Sequence, residues 1–458
     1  MFAEISSEDA AAIARWTQIN RDGAACLLSN GDVLDLGYWA AKHAHPILQD
    51  ALESMGEDQM LPFLEHGNEN HQSVAMLLAK SGGLRGLRAI ARAPDIDLKS
   101  YRLHDNASAP TVLEIARASE SKEMQAWARQ YGTFLGRYSV QSGPAVHDSG
   151  TSLVRYARDE MHGTSVALKS MKHKDQFQAE INSRFIDKRV LSKENVIQAL
   201  GWHTPHGETL IANDGRHEEA ESTNADADSG YSYVVVLERG ERSLHDACAK
   251  ERISGHNVHE IIVVMRAVAS CVGYLHDNGR IHGDLKQRNI LRVIDGSGVR
   301  WCLCDMDASV KLGCAAGKKT SSAYSPPELA QEKYGRGGST IASASPSFDV
   351  WSFGVVLYEM CSGRTLFAQD INNDELISTM DRVRLCTWHT ITDEELEPVF
   401  KHVANAETLV DDAKNLIRWC LQGDSSRRPT IAQVLEHRFL SGNRNARAPP
   451  FFPNRYHG

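Results

Sequence analysis

Along the 458-residue chain the hydrophobic pattern changes character twice. Up to about residue 134 it is helix-rich. From about residue 137 strand-like runs come first and helical stretches follow, as far as residue 440. Residues 441–458 (SGNRNARAPPFFPNRYHG) are polar, contain Pro and show no periodicity, which predicts a flexible tail. The most apolar stretches, Ile261–Leu275 and Val350–Cys361, contain Arg266 and Glu359. Both are shorter than the run that spans a bilayer, so they predict buried core helices. Two stretches predict surface insertions. Asn213–Gly230 holds Asp214, Glu218, Glu219, Glu221, Asp226 and Asp228 against Arg216, and Tyr334–Pro346 is rich in Gly and Ser.

The helical part repeats weakly. Ala41-Lys42, Ala79-Lys80 and Ala116-Arg117 fall 38 and 37 residues apart, with Tyr38, Met76 and Leu113 three positions earlier and Leu52, Ile90 and Trp127 eleven later. Pro94-Asp-Ile-Asp-Leu98 reads as a turn after the second helix of a unit. This resembles degenerate ankyrin repeats, whose usual period is about 33, with the excess in longer loops. A generic helical domain is the alternative. The expected organisation is an N-terminal segment 1–29, ankyrin-like repeats 30–134, a second domain 137–440 and a tail 441–458.

Composition narrows the classes. A formal net charge of −9 and a pI near 6.1 lack the basic footprint of a nucleic-acid binder. Met1–Trp16 carries Glu4, Glu8 and Asp9 and does not read as a signal peptide. No membrane association is expected. Nine cysteines without a CxxC read as free thiols, which suits the cytoplasm or the nucleus. His203, His206 and His217 flank the acidic insertion and read as solvated loop residues rather than a metal site.

The second domain carries the chemistry. Phosphoryl transfer needs held phosphates, bound metal ions and an aligned hydroxyl relieved of its proton. Val166-Ala-Leu-Lys169 is a strand that would aim Lys169 at the α- and β-phosphates, with Glu180 on the next helix as its ion-pair partner. Within Ile281-His-Gly-Asp-Leu-Lys-Gln-Arg-Asn-Ile-Leu291, Asp284 can accept the hydroxyl proton, Lys286 can neutralise the γ-phosphate and Asn289 can bind a metal ion. A strand ending at Asp305 would point its carboxylate at Mg²⁺, which prefers hard oxygen ligands.

These residues resemble the eukaryotic protein kinase catalytic domain over about 300 residues. His282-Gly-Asp284 matches the HRD motif and Asp305-Met-Asp307 matches DFG. Pro326-Pro-Glu328 matches APE, Asp349-Val-Trp-Ser-Phe-Gly354 matches DxWxxG, and Arg428 matches the late arginine that pairs with Glu328. The resemblance implies an α+β bilobal fold, with a small β-rich N-lobe and a large helical C-lobe, using ATP and Mg²⁺. It places Leu237 and Glu238-Arg-Gly240 at the gatekeeper and hinge, with Gly150, Val154, Ala167 and Leu291 around the nucleotide. Lys286, and Ser321 three residues before Tyr324, imply Ser/Thr specificity and a protein substrate. With the repeats, the whole looks like a protist ankyrin-repeat kinase of the tyrosine-kinase-like group, able to hold a protein partner on the repeats.

Several positions depart from the pattern. The glycine-loop positions fall on His147, Ser149 and Ser152, with Gly150 alone in the turn. Gly283 replaces the HRD arginine, which in many kinases pairs with an activation-loop phosphate. Asp307 replaces the DFG glycine, either as a metal-facing carboxylate or as a brake on loop movement. Glu180 stands only eleven positions after Lys169, and Arg184 stands where the family has an apolar residue. An active Ser/Thr kinase is expected, with a pseudokinase scaffold as the alternative and the repeats as a binding module third.

Overall fold

The computed structural model describes residues 38–442 apart from 39, 45, 55–66, 68–69, 94–95, 97, 100, 102–109, 187–188, 212–216, 221–230, 297, 317–318, 335–341, 371–373 and 405. The segment 1–29, the tail beyond Gly442, most of the acidic insertion and much of the Gly/Ser stretch therefore lie outside the described residues. Two compact units emerge: Met1–Val140 with Asp159–Gly163, and Gln141–Arg158 with Thr164–Gly458.

The first unit is built from paired helices. Helices α1 (Pro46–Ser54), α3 (Leu84–Ala91) and α5 (Lys122–Gly132) start 38 residues apart, as do α2 (Val74–Ser81) and α4 (Val112–Arg117). Side chains start them: Ser73 and Ser121 accept the N–H groups of Met76 and Met124, and Thr111 and Glu114 cap α4 reciprocally. Val74 to Ala79 are all buried, so α2 lies within the core rather than over it. Leu48, Leu52, Leu87, Ile90, Leu113 and Trp127 join it in one cluster. One pair of helices could not bury such faces alone.

The second unit opens with a sheet. Its strands are β1 (His147–Asp148), β2 (Ser152–Asp159), β3 (Thr164–Met171), β4 (Ala199–Thr204), β5 (Gly207–Ile211), β6 (His217–Ala220) and β7 (Tyr233–Glu238). They lie in the order β2-β3-β7-β4-β5-β6, with β1 beside β2. Helix α6 (Lys174–Asn182) follows β3. The Lys169 strand runs antiparallel to β7, with Lys169 opposite Val235 and Ala167 opposite Leu237.

The helical part begins with α7 (Leu244–Glu251) and α8 (Val258–Asp277). Among the described residues α8 alone is long and apolar enough to cross a membrane, yet Ile261, Val264, Met265, Val268, Val272 and Leu275 sit in a protein core. Helix α9 spans Pro327–Tyr334 and α10 spans Pro346–Ser362, the latter buried from Phe348 to Cys361. These stretches are core helices because their own side chains fill the cluster that holds Trp351, Phe353 and Leu416. Between α8 and α9 lies the hairpin of β8 (Ile290–Asp295) and β9 (Gly298–Leu303).

Candidate active site

The catalytic loop is anchored from below by α10. Asp349, 1% exposed, accepts the His282 N–H at 2.7 Å and the Gly283 N–H at 2.9 Å, and lies 2.9 Å from His276 Nε2. Burial alone would raise its carboxyl; the bonds from His276 and Gly283 outweigh that and hold it below the usual range. Gly283 has φ +83°, and a Cβ there would stand 2.6 Å from the Ala308 carbonyl oxygen. That close approach favours glycine where the family carries arginine.

Asp284, Lys286 and Asn289 converge. Asp284 Oδ1 accepts the Ser321 N–H at 2.8 Å, and Lys286 Nζ donates to Ser321 Oγ at 2.7 Å. Asn289 Nδ2 donates to the Asp284 carbonyl at 2.8 Å and to Asp284 Oδ2 at 3.2 Å. The amide nitrogen is thus committed, and Oδ1 is the atom left for a cation. Lys286 Nζ lies 3.6 Å from Asp284 Oδ2 and 3.0 Å from Asp374 Oδ2. Burial lowers the Lys286 pKa, but these carboxylates overcome it and the ammonium is held above its ordinary value.

Lys169 reaches in from the sheet. Its Nζ donates to Glu180 Oε2 at 2.7 Å and to Asp305 Oδ1, and stands 3.9 Å from Asp307 Oδ2. The short gap between Lys169 and Glu180 suffices because α6 starts at Lys174, directly after the strand. Strand β9 ends at Leu303, two residues before the end expected at Asp305. Asp305 instead takes the left-handed conformation, φ 61° and ψ 68°, which Asp tolerates better than most residues.

Glu180, Asp305 and Asp307 place ligand atoms within 4.8 Å of one another. Lys169 contacts all three, so the cluster already surrounds an ammonium group, and Lys319 Nζ also pairs with Asp307. Asp307 further accepts Gln176 Nε2 at 2.9 Å, tying α6 to the Asp305–Asp307 turn. These contacts favour the brake over the metal-facing role. Asp305 and Asn289 fit Mg²⁺ better, as hard oxygen donors beside the Asp284 loop.

The residues expected around a nucleotide are apolar and packed together. Val154, Ala167, Leu237 and Leu291 belong to one cluster, and a Cβ on Gly240 would meet Leu291 Cδ1 at 3.0 Å. Tyr156 Oη donates to the Gly240 carbonyl at 3.2 Å, while Glu238 pairs with Arg300. The turn between β1 and β2 is closed on itself. The N–H of Ser149 donates to the Ser152 carbonyl at 3.0 Å, that of Gly150 to Asp148 Oδ1 at 2.8 Å, and that of Ser152 to Ser149 Oγ at 3.1 Å. Three amides that a glycine loop would offer to phosphates are already used.

Behind the site, Arg428 grips Glu328 with two 2.7 Å bonds. The protein kinase domain family matches residues 149–440, more than half of the chain. The chain belongs to the protein kinase domain family. Its relatives include a hormonally up-regulated neu tumor-associated kinase homolog B of Xenopus laevis, 29% identical over 51% of this chain and 33% of that protein. A probable serine/threonine-protein kinase CCRP1 of Zea mays is 26% identical over 59% and 39%. A calcium/calmodulin-dependent protein kinase type I of Schizosaccharomyces pombe is 32% identical over 40% and 49%. The kinase domain thus aligns with less than half of each of these relatives.

One contributor escaped sequence reasoning, and a second was seen without its partners. Asp374, φ 56°, enters from the polar loop after α10 and also pairs with Arg288 at 3.3 Å; nothing in its neighbourhood in sequence marks it. Arg184 was visible as a departure, but its bonds to Glu180 and to the Ile197 carbonyl become evident only in the fold.

Proposed function

We propose that the protein is an active Ser/Thr kinase, transferring the γ-phosphoryl group of ATP to protein hydroxyls. The carrying observation is the convergence of Asp284, Lys286 and Asn289 on one loop, with Ser321 bonded to both Asp284 and Lys286. In this reading Asp284 accepts the hydroxyl proton as the substrate oxygen bonds to the γ-phosphorus and the bond to ADP breaks. Lys286 neutralises the γ-phosphate, and Ser321 holds both groups in place. Lys169, set by Glu180, binds the α- and β-phosphates. Asp305 and Asn289 would hold Mg²⁺, which screens phosphate charge. Val154, Ala167, Leu237 and Leu291 enclose the adenine, which the backbone of Glu238 and Gly240 receives. Gly150 shapes the turn above.

The helix pairs recurring every 38 residues support an ankyrin-like repeat domain that holds a protein partner. The eight free cysteines among the described residues suit a reducing compartment such as the cytoplasm.

The closed turn at Ser149–Ser152 favours a second reading, a pseudokinase scaffold. Label transfer from Mg-ATP to a generic protein substrate separates the two. The kinase reading expects Asp284→Ala to lose about 10²–10⁴-fold. Equal signal from both proteins would overturn it.

A further inference from the structure

Arg184 lies one helical turn beyond Glu180, and its side chain is 2% exposed. Its Nε donates to Glu180 Oε1 at 3.0 Å, Nη2 reaches the same oxygen, and Nη1 reaches the Ile197 carbonyl. Glu180 is fully buried. Its two carboxylate oxygens are thus divided: Oε2 takes Lys169 and Oε1 takes Arg184. Burial would raise this carboxyl, but Lys169 and Arg184 overcome it and hold it below the usual carboxylate range.

A carboxylate buried with only one cation depends on that cation. When phosphates share the Lys169 ammonium, Glu180 would lose part of its compensation, at a high cost in the interior. A guanidinium fixed from within the core removes that conflict. Backbone bonds fix Arg184 in turn: its N–H donates to the Ile181 carbonyl at 3.0 Å and its carbonyl accepts the Leu191 N–H at 2.9 Å. Next to it, Ser183 Oγ donates to the Ser309 carbonyl at 3.0 Å.

We propose that Arg184 is a positioning residue that clamps Glu180 inward, so that Lys169 is free to serve phosphates while α6 stays in place. The clamp rests on the kinase reading for its purpose. It complements Gly283, since a helix held from inside does not need an arginine on the catalytic loop to read an activation-segment phosphate.

The test compares wild type with Arg184→Met, Arg184→Lys and Lys169→Met in the full chain. It measures Mg-ATP affinity by calorimetry and amide hydrogen exchange across residues 174–182. A hydrogen bond to a charged group is worth about a tenfold change in affinity. Arg184→Met is expected to weaken Mg-ATP by about that much and to speed exchange in α6. Arg184→Lys, which keeps the charge and drops the fork, falls between. Lys169→Met loses affinity but keeps α6 protected, a contrast that general destabilisation would not produce. Should Arg184→Met not fold, the lysine variant carries the test. Wild-type affinity and exchange in the arginine variants would overturn the proposal. Neither readout needs turnover, so a protein that binds Mg-ATP without transferring phosphate would end the kinase reading and leave this test decisive.

Discussion

Glu359 shows how one residue couples stability to pH. It lies on α10, 4% exposed, and accepts Tyr324 Oη and Gln287 Nε2, each at 2.8 Å. Burial pushes its carboxyl from 4.5 up to about 8, against the pull of those two donors. The folded value lies above the unfolded one, so the native state keeps a proton that the unfolded chain releases. Its contribution is complete below about pH 4.5 and is lost as pH rises toward 8. At about 1.4 kcal/mol per pKa unit, the loss is of the order of a few kcal/mol. Urea unfolding at pH 5 and pH 8 should therefore show Glu359→Gln flattening the decline and gaining most at the alkaline end; an unchanged slope would contradict the assignment. The convergence of Asp284, Lys286 and Asn289 was legible because a single loop carries all three at fixed spacing. The burial of Glu359 and the reach of Asp374 were not, since both depend on segments distant in the chain.

Among the elements, the β1–β2 turn and the Arg428–Glu328 tie make opposite predictions. The turn spends its amides internally through Ser149, Gly150 and Ser152. Replacing His147, Ser149 and Ser152 together with Gly should free backbone for phosphates and lower KM for ATP several-fold, read by steady-state kinetics. An unchanged KM would mean the turn does not limit ATP binding. The Arg428 side chain is fully buried and grips Glu328 with both nitrogens, fastening α9 to the segment that precedes the final helices. Removing one partner of such a pair costs roughly 3 kcal/mol, so Arg428→Ala should lower Tm by several degrees in calorimetry. The strands were legible as strand-like runs and the core helices as the two most apolar stretches. Strand β9 ran short of Asp305 because a left-handed residue ends a ladder, and an apolar run does not reveal that conformation.

At the scale of the molecule, the two units interleave in sequence. Asp159–Gly163 belongs with the helical unit, where Arg137 donates to Asp159 Oδ1 at 2.8 Å and Oδ2 at 2.6 Å, and the Glu160 N–H donates to the Arg137 carbonyl at 3.1 Å. Burial would raise the Asp159 carboxyl, but Arg137 and His162 hold it well below the usual range. A chain begun at Thr133 keeps this pair and one begun at Gln141 loses it. The longer chain should have the higher Tm at pH 7, and the gap should close as pH falls through the depressed Asp159 value. Equal melting at pH 7 would place the boundary elsewhere. The helical recurrence was legible as spaced alanines; the membership of residues 159–163 in the helical unit was not, because no local pattern marks it.

The catalytic claim is tested most directly by incubating the full chain with Mg-ATP and an oriented peptide library, with Asp284→Ala as the control, and identifying phosphorylated residues by mass spectrometry. Phosphoserine and phosphothreonine are expected with wild type and near absence with the variant. No phosphopeptide from wild type, or phosphotyrosine alone, would contradict the account.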